Sequence, residues 1–189
     1  MTMLFQIGED MATNILLVNQ KGGVGKTTFA DEIAWGLERR GHKVGFGNLD
    51  PQGGANHEKN LLDDANAVNV IDTPGFLSDE TATYAKNADI AIIPVQPGTL
   101  GLKPMKRTIK VITEANPDLS FAIIVNNFAA NQTVDRQFLE LLEADDLPVL
   151  GTVPTAAAFK QGAALGKPVY EIAKSGKAAL AKENILDEI

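Results

Sequence analysis

The fold of this chain can be inferred from one stretch of its sequence, Ile15-Leu16-Leu17-Val18-Asn19-Gln20-Lys21-Gly22-Gly23-Val24-Gly25-Lys26-Thr27-Thr28. It begins with an apolar run of strand length, continues through a glycine-rich loop and enters a segment of helical periodicity, Lys26–Arg40. Glycines allow such a loop to turn its backbone N–H groups toward phosphate oxygens, and the helix dipole adds to the attraction. Lys26 is predicted to contact the β- and γ-phosphates, and the Thr27 hydroxyl is predicted to be a magnesium ligand. The predicted nucleotide-binding residues of the loop are Gly22, Gly23, Val24, Gly25, Lys26, Thr27 and Thr28.

Apolar runs of strand length alternate with helix-length segments along the rest of the chain. This pattern predicts an α/β fold with a mostly parallel twisted sheet and helices on both faces. One further helix, Val134–Glu143, is predicted to bury Val134, Phe138 and Leu141. We expect a single domain over residues 14–189, preceded by an N-terminal extension, residues 1–13. The predicted strands are Ile15–Asn19, Lys43–Leu49, Ala67–Asp72, Asp89–Val95, Phe121–Asn126 and Val149–Val153.

Composition and charge exclude several classes of protein. The formal net charge of −7 argues against a protein that binds nucleic acid with its whole surface, so any DNA contact must come from a local patch. The absence of cysteine excludes disulfides and iron–sulfur clusters held by cysteine. The apolar runs are far too short to cross a bilayer, and Met1–Asp10 lacks the features of a secretory signal. We therefore expect a cytoplasmic protein.

The glycine-rich loop departs from the common phosphate-loop pattern because an additional lysine, Lys21, opens it. Residues 21–27 thereby resemble the deviant Walker-A loop, K-G-G-x-G-K-T, of the ParA/MinD superfamily of P-loop NTPases, and the chain as a whole most resembles ParA-type partition ATPases. In that family the opening lysine reaches across a dimer interface to the partner's nucleotide. The resemblance therefore implies a homodimer bridged by ATP, with Mg²⁺ as cofactor, in which Lys21 and Lys26 serve hydrolysis.

Two carboxylate motifs follow at the ends of predicted strands, where an open α/β sheet places its ligands. Residues 48–53, N-L-D-P-Q-G, resemble the D-x-D-P-Q-G switch segment of ParA proteins, which implies that Asp50 orients the attacking water. Residues 70–75, V-I-D-T-P-G, resemble a Walker B strand with its switch loop, which implies that Asp72 holds magnesium through a water. In this loop Gly75 could swing its backbone toward the γ-phosphate.

The region around the first carboxylate motif departs from the family pattern. Asn48 stands where a first carboxylate is usual. Only 22 positions separate Asp50 from Asp72, so we expect a trimmed element between their strands. The strand Val44-Gly45-Phe46-Gly47 is unusually rich in glycine, which should weaken it or mark a close backbone approach.

The C-terminal third carries the predicted base pocket. Val125-Asn126-Asn127-Phe128 resembles the family segment whose asparagine contacts adenine, and an amide can both donate to and accept from that base. By this resemblance Asn126 contacts adenine, and Pro154 in Gly151-Thr152-Val153-Pro154 lies against the ring. The resemblance to ParA proteins covers nearly the whole chain from Asn14 onward.

The resemblance implies a positioning ATPase that hydrolyses ATP slowly. In ParA systems the ATP dimer binds DNA non-specifically, and a ParB-like partner bound to a plasmid or chromosome stimulates hydrolysis. A basic stripe at helical spacing, uninterrupted by acids, could contact DNA, although an ordinary solvated helix face would have the same pattern. The sequence also offers a more diluted second basic patch at Lys160, Lys167, Lys174, Lys177 and Lys182. The DNA-binding candidates of the stripe are Lys103, Lys106, Arg107 and Lys110.

Three alternative functions use the same ATPase scaffold. A relative that positions a protein cargo over the nucleoid is not separated from a plasmid partitioner by this sequence. A metabolic ATPase of the nitrogenase-iron-protein kind needs cluster-binding cysteines, which are absent. A MinD-like membrane protein needs a basic amphipathic C-terminal helix, whereas residues 181–189 carry three acids and one base. We therefore expect no membrane partner and a cytoplasmic protein that is nucleoid-associated when ATP is bound.

Overall fold

A computed structural model describes residues 12–51, 53–57, 59–75 and 79–189. Most of the predicted N-terminal extension lies outside these described residues. Strands and helices alternate up to the sixth strand except between β2 and β3, which follow each other directly in the element order, and three helices follow the sixth strand. The elements are β1 Thr13–Leu17, α1 Lys26–Arg39, β2 Lys43–Asn48, β3 Ala67–Asp72, α2 Asp79–Lys86, β4 Ile90–Val95, α3 Thr99–Ala115, β5 Ser120–Asn126, α4 Thr133–Ala144, β6 Val149–Val153, α5 Ala157–Leu165, α6 Val169–Ile172 and α7 Lys177–Asp187.

The six strands form one sheet in the order β2-β3-β1-β4-β5-β6, and every neighbouring pair runs parallel. The predicted fold class is therefore confirmed. Each predicted strand is present with small shifts at its ends, the largest at β1, which begins and ends two residues earlier than predicted. Because the strands are parallel, all their carboxyl ends meet at one edge of the sheet, and this edge carries the motifs identified above.

The sheet separates two hydrophobic cores. Alternate residues over β1 and Val18, the residue that follows it, belong to different cores: Ile15 and Leu17 face α1 and α7, whereas Leu16 and Val18 face α2, α3 and α4. All four side chains are buried, and burial of each contributes about 1.5–3 kcal/mol. Among the described residues, no helix combines the length and apolar character needed to span a membrane.

Helix α4 corrects one prediction of burial. Phe138 is buried as predicted, but Val134 and Leu141 are exposed, and Leu142 is buried instead. The reason is the helical phase: Leu141 is turned about 100° from Leu142, and Val134 lies in the first turn of the helix. The buried stripe therefore follows the row from Phe138 to Leu142.

The connection from β2 to β3 contains no helix in its described residues, 49–51, 53–57 and 59–66, which agrees with the expected trimmed element. It crosses the edge strand β2 closely. A Cβ added to Gly45 would lie 2.2 Å from Asn69 Oδ1 and 2.9 Å from the backbone nitrogen of Leu62. The glycine-rich strand thus marks the close backbone approach that was one of its two predicted meanings.

Candidate nucleotide-binding site

The glycine-rich loop joins β1 to α1 at the carboxyl edge of the sheet. Gly23 and Gly25 have φ angles of 73° and 105°, a left-handed conformation that L side chains rarely adopt. Gly25 caps α1 without any side-chain hydrogen bond to the first backbone N–H groups of the helix. These N–H groups therefore need acceptors from elsewhere, and an anion at a helix N-terminus is a common one.

Polar side chains from neighbouring strands hold the loop in this shape. Asn126 Nδ2 donates to the carbonyl of Val24 at 2.9 Å, and Gln96 Nε2 donates to the carbonyl of Gly23 at 3.0 Å. The buried Thr108 hydroxyl of α3 accepts from the backbone N–H of Gln20 at 3.2 Å. The loop is thus braced by β4, β5 and α3, so it is organised for a ligand by the fold itself.

The sequence did not single out Gln96 or Thr108. Gln96 directly follows β4, at the same sheet edge as the other candidate residues, and this position is the signal that could have identified it. Thr108 occupies an apolar position of α3 between Met105 and Ile112, and all three residues are buried. A polar residue at such a position indicates a specific hydrogen bond.

Lys26 and Asp72 lie together beneath the loop. Lys26 is buried and has no ion pair with the described residues, and its burial lowers its pKa although Asp72 and Asp50 partly oppose the change. Burial raises the pKa of Asp72 to about 6, although the Thr27 hydroxyl donates to its Oδ2 at 2.6 Å and Lys26 lies nearby. A buried cation therefore stands beside a carboxylate that is itself poorly solvated.

The oxygen atoms at this position fit a magnesium ion. Asp72 is fully buried, and its Oδ1 atom has no hydrogen-bond partner among the described residues. Together with the Thr27 hydroxyl it forms a set of hard oxygen donors, which Mg²⁺ prefers. The predicted roles of Thr27 and Asp72 as magnesium ligands, Asp72 through a water, are consistent with this arrangement.

The two switch segments border the same site. Asp50 follows β2, and its backbone N–H donates to Asn48 Oδ1 at 3.0 Å. Its charge partly opposes the lowering of the Lys26 pKa by burial and adds to the raised pKa of Asp72. Gly75 follows β3, and a Cβ placed on it would lie 3.1 Å from the Cα of Gly22. The loop after Asp72 therefore touches the phosphate loop directly.

The predicted base and dimer contacts remain predictions. Asn126 uses its Nδ2 on Val24 and its Oδ1 on the backbone N–H of Asn127, so its amide braces the loop. Lys21 is half-buried at the start of the loop, where its backbone N–H donates to Asn19 Oδ1. A cavity beside α1 includes Asn126 in its lining but not Pro154. Its lining residues are Thr28, Phe29, Asn126, Asn127, Thr155, Ala156, Phe159 and Lys160.

The basic stripe on α3 is exposed, as predicted, but acids adjoin it. Lys106 pairs with Asp145, the residue that follows α4, at 2.7 Å, and Lys110 pairs with Glu114 at 3.7 Å. Residues 103–110 themselves contain no acid, as expected, but Glu114 continues the same helical row and Asp145 reaches Lys106 from the end of α4. Lys103 and Arg107 have no ion pair within the described residues.

Two of the five lysines predicted for the second basic patch are buried or paired with an acid. Lys182 is 1% exposed and pairs with the buried Glu32 at 3.2 Å, so it belongs to the interior. Lys167 is paired with Glu171 at 3.6 Å. This patch therefore offers fewer unpaired surface cations than the sequence indicated.

Comparison with known proteins matches most of this chain to one family of nucleotide-binding domains. Residues 15–169 match the model of the CobQ/CobB/MinD/ParA nucleotide binding domain. The maintenance of carboxysome distribution protein A of Halothiobacillus neapolitanus is 28% identical over 214 residues, covering 97% of this chain and 99% of that protein.

Two solved structures share the fold. The septum site-determining protein MinD of Pyrococcus horikoshii, complexed with Mg-ADP, has a TM-score of 0.77 at 17% identity and covers 94% of this chain and 96% of its own. A McdA variant of Cyanothece in its ATP complex has a TM-score of 0.77 at 16% identity and covers 96% and 97%. Since the matched region contains the braced phosphate loop, Asp50 and Asp72, this chain belongs to the CobQ/CobB/MinD/ParA nucleotide-binding domain family of P-loop ATPases.

Proposed function

We propose that this chain is a positioning ATPase: a homodimer bridged by ATP that binds DNA non-specifically and releases it when a partner protein stimulates slow hydrolysis. The observation that carries the proposal is Lys26, a buried lysine without an ion pair in the described residues, next to the free N-terminal N–H groups of α1. A buried cation and oriented N–H groups together favour a polyphosphate over any neutral ligand.

The residues divide the work of hydrolysis. Lys26 and the loop backbone bind and orient the phosphates, and Asp50 holds the attacking water. Thr27 and Asp72 would hold Mg²⁺, which neutralises charge on the phosphate oxygens when bound. Lys21 reaches the nucleotide of the partner subunit and so links ATP to dimerisation. Loss of the γ-phosphate then releases the segments around Asp50 and Asp72.

The proposed cargo is based on the similarity to the Halothiobacillus neapolitanus protein. A full-length match to a carboxysome distribution protein favours a large protein assembly as the cargo, carried over the nucleoid. Segregation of a plasmid or chromosome through a ParB-like partner is the alternative. In both cases the protein would act in the cytoplasm and associate with the nucleoid when ATP is bound.

The proposed DNA-contacting surface is the α3 stripe. Because the chain has a net charge of −7, DNA must meet a local concentration of positive charge. Lys103 and Arg107 are exposed and without an acidic partner among the described residues, whereas Lys106 and Lys110 are partly neutralised by Asp145 and Glu114. A dimer presents the stripe twice, which strengthens binding to a long duplex.

The test is binding to non-specific duplex DNA with ATP, with ADP and without nucleotide, at several salt concentrations. We expect ATP-selective binding whose affinity falls steeply as salt rises. Lys103→Glu with Arg107→Glu should weaken it by about tenfold or more. The matched control, Lys174→Glu with Lys177→Glu, makes the same change in charge on the second patch.

Three outcomes would contradict parts of this proposal. Absence of DNA binding under every condition would remove DNA from the cycle. Binding that is equal with ATP and ADP would separate it from hydrolysis. A larger loss in the control than in the α3 variant would move the DNA surface to the second patch.

A further inference from the structure

Asp31 is a buried carboxylate on α1 that the proposed cycle does not use. It lies one helical turn beyond Thr27 and is 3% exposed. Its two oxygens accept the backbone N–H of Asn56 at 2.9 and 3.0 Å and the backbone N–H of His57 at 3.1 Å. They also contact Asn56 Nδ2 at 3.1 Å and His57 Nδ1 at 2.9 Å. Helix α1, which begins at the phosphate loop, is therefore hydrogen-bonded through Asp31 to the segment that follows Asp50.

The His57 side chain adds ring contacts to the hydrogen bonds between α1 and this segment. Its ring stacks on Phe46 of β2 with centroids 4.9 Å apart, and the indole of Trp35 lies 4.9 Å from it on another side. Its Nε2 atom is 3.7 Å from a Glu38 oxygen and has no hydrogen-bond partner among the described residues. The ring thus packs between the sheet and α1 and is hydrogen-bonded to Asp31.

The consequence concerns the position of Asp50. At one end the segment leaves β2 at Asn48, and at the other end Asp31 fixes Asn56. Between these anchors Gly53 and Gly54 have φ angles of 71° and 107°, so the turn depends on glycine, and Ala55 after it packs against the core. Since no helix of the β2–β3 connection supports it in the described residues, the Asp31 contacts supply the second fixed end.

We propose that Asp31 is a positioning residue for ATP hydrolysis: by holding Asn56 and His57 it keeps Asp50 beside the γ-phosphate. The proposal rests on the proposed ATPase function. An Asn in place of Asp31 would set an amide NH₂ against backbone N–H donors, so the charge-assisted hydrogen bonds would be lost. A displacement of about 1 Å at a catalytic group can lower the rate by about 10²-fold.

The first measurement is steady-state ATPase activity together with direct ATP binding. In Asp31→Asn we expect kcat to fall about tenfold or more while the ATP Kd stays within about threefold, because the phosphate loop does not depend on Asp31. His57→Phe keeps the stacked ring but removes the Nδ1 donor, and it should lower kcat in the same direction. If both act through one contact, the double variant is no worse than Asp31→Asn alone.

A second measurement is independent of catalysis. Hydrogen–deuterium exchange without nucleotide should be faster over residues 53–57 in Asp31→Asn than in the wild type, because two buried backbone N–H groups lose their acceptor. The matched control is Asp63→Asn, which neutralises an exposed carboxylate in the same connection. It should leave both kcat and exchange unchanged.

The two measurements distinguish two kinds of failure. If the wild type hydrolyses ATP and Asp31→Asn has the same kcat and the same exchange, the positioning role is overturned. A parallel loss of ATP binding and kcat would also overturn it, because Asp31 would then support the fold of the site as a whole. A wild type that does not hydrolyse ATP overturns the proposed ATPase function and, with it, the positioning role of Asp31. Faster exchange in Asp31→Asn than in the wild type would still demonstrate that Asp31 holds residues 53–57.

Discussion

Replacing Asp72 by Asn should stabilise the nucleotide-free protein while removing its use of Mg-ATP. Asp72 is fully buried, and Oδ1 has no hydrogen-bond partner in the described residues. The Thr27 hydroxyl donates to Oδ2, and the amide oxygen of Asn can accept the same bond. The substitution therefore keeps the hydrogen bond, removes the buried negative charge and places an NH₂ group where Oδ1 has no partner.

The size of the effect follows from the pKa of this carboxyl group. Burial raises it from 3.8 to about 6, and this value already includes the opposing attraction of Lys26. A shift of one pKa unit corresponds to about 1.4 kcal/mol, so the charged carboxylate costs the folded state about 3 kcal/mol near pH 7. That is a large part of the stability of an ordinary domain.

The pH dependence provides a second check with a definite sign. Because the pKa in the folded state is higher than in the unfolded state, the cost is fully present above about pH 6 and disappears as the pH falls to 3.8. Urea unfolding in a chelator should show Asp72→Asn to be about 3 kcal/mol more stable at about pH 7.5, and only about 1 kcal/mol more stable at about pH 4.5. Addition of Mg-ADP should stabilise the wild type and not the variant.

A control of opposite sign is available in the same protein. The Lys43 side chain lowers the pKa of Asp64, so Asp64→Asn should weaken the fold slightly at neutral pH. If Asp72→Asn were no more stable than the wild type at about pH 7.5, or if its advantage grew as the pH fell, the reasoning about the buried carboxylate would be refuted.

The remaining predictions concern the phosphate loop and the attacking water. Lys26→Ala should weaken ATP binding by about 10²-fold or more in a direct titration, because it removes the only buried cation that faces the loop in the described residues. Retained affinity would exclude the site. Asp50→Ala should leave an ATP-dependent dimer by light scattering but lower kcat by about 10²-fold, and an unchanged kcat would assign the water to another residue. Gly25→Ala should cost about 1–3 kcal/mol in thermal unfolding, since its φ is 105° and its Cβ would lie 2.7 Å from Asn126 Nδ2; equal stability would contradict the observed loop geometry.

The fold class and the position of the phosphate loop could be predicted from the amino-acid sequence alone. Both depend on local properties: the period of apolar residues identifies strands and helices, and glycines that tolerate left-handed conformations mark the turn from β1 into α1. Asp50 and Asp72 could be placed for the same reason, because each lies at the carboxyl end of a strand and parallel strands share one carboxyl edge. The glycines of β2 left two meanings open, a weakened strand or a close backbone approach, and the Gly45 contacts support the second.

Contacts between side chains that are distant in sequence could not be predicted and became visible in the folded chain. Thr108 reaches Gln20 across 88 positions of sequence, and Lys182 pairs with Glu32 from the far end of the chain. The acids beside the α3 stripe come partly from the end of α4, so the spacing within α3 could not reveal them. Asp31 belongs to no motif that the sequence analysis identified. Its hydrogen bond with His57 exists because the β2–β3 connection folds back over α1. Such contacts depend on the packing of separate elements, and local periodicity carries no information about that packing.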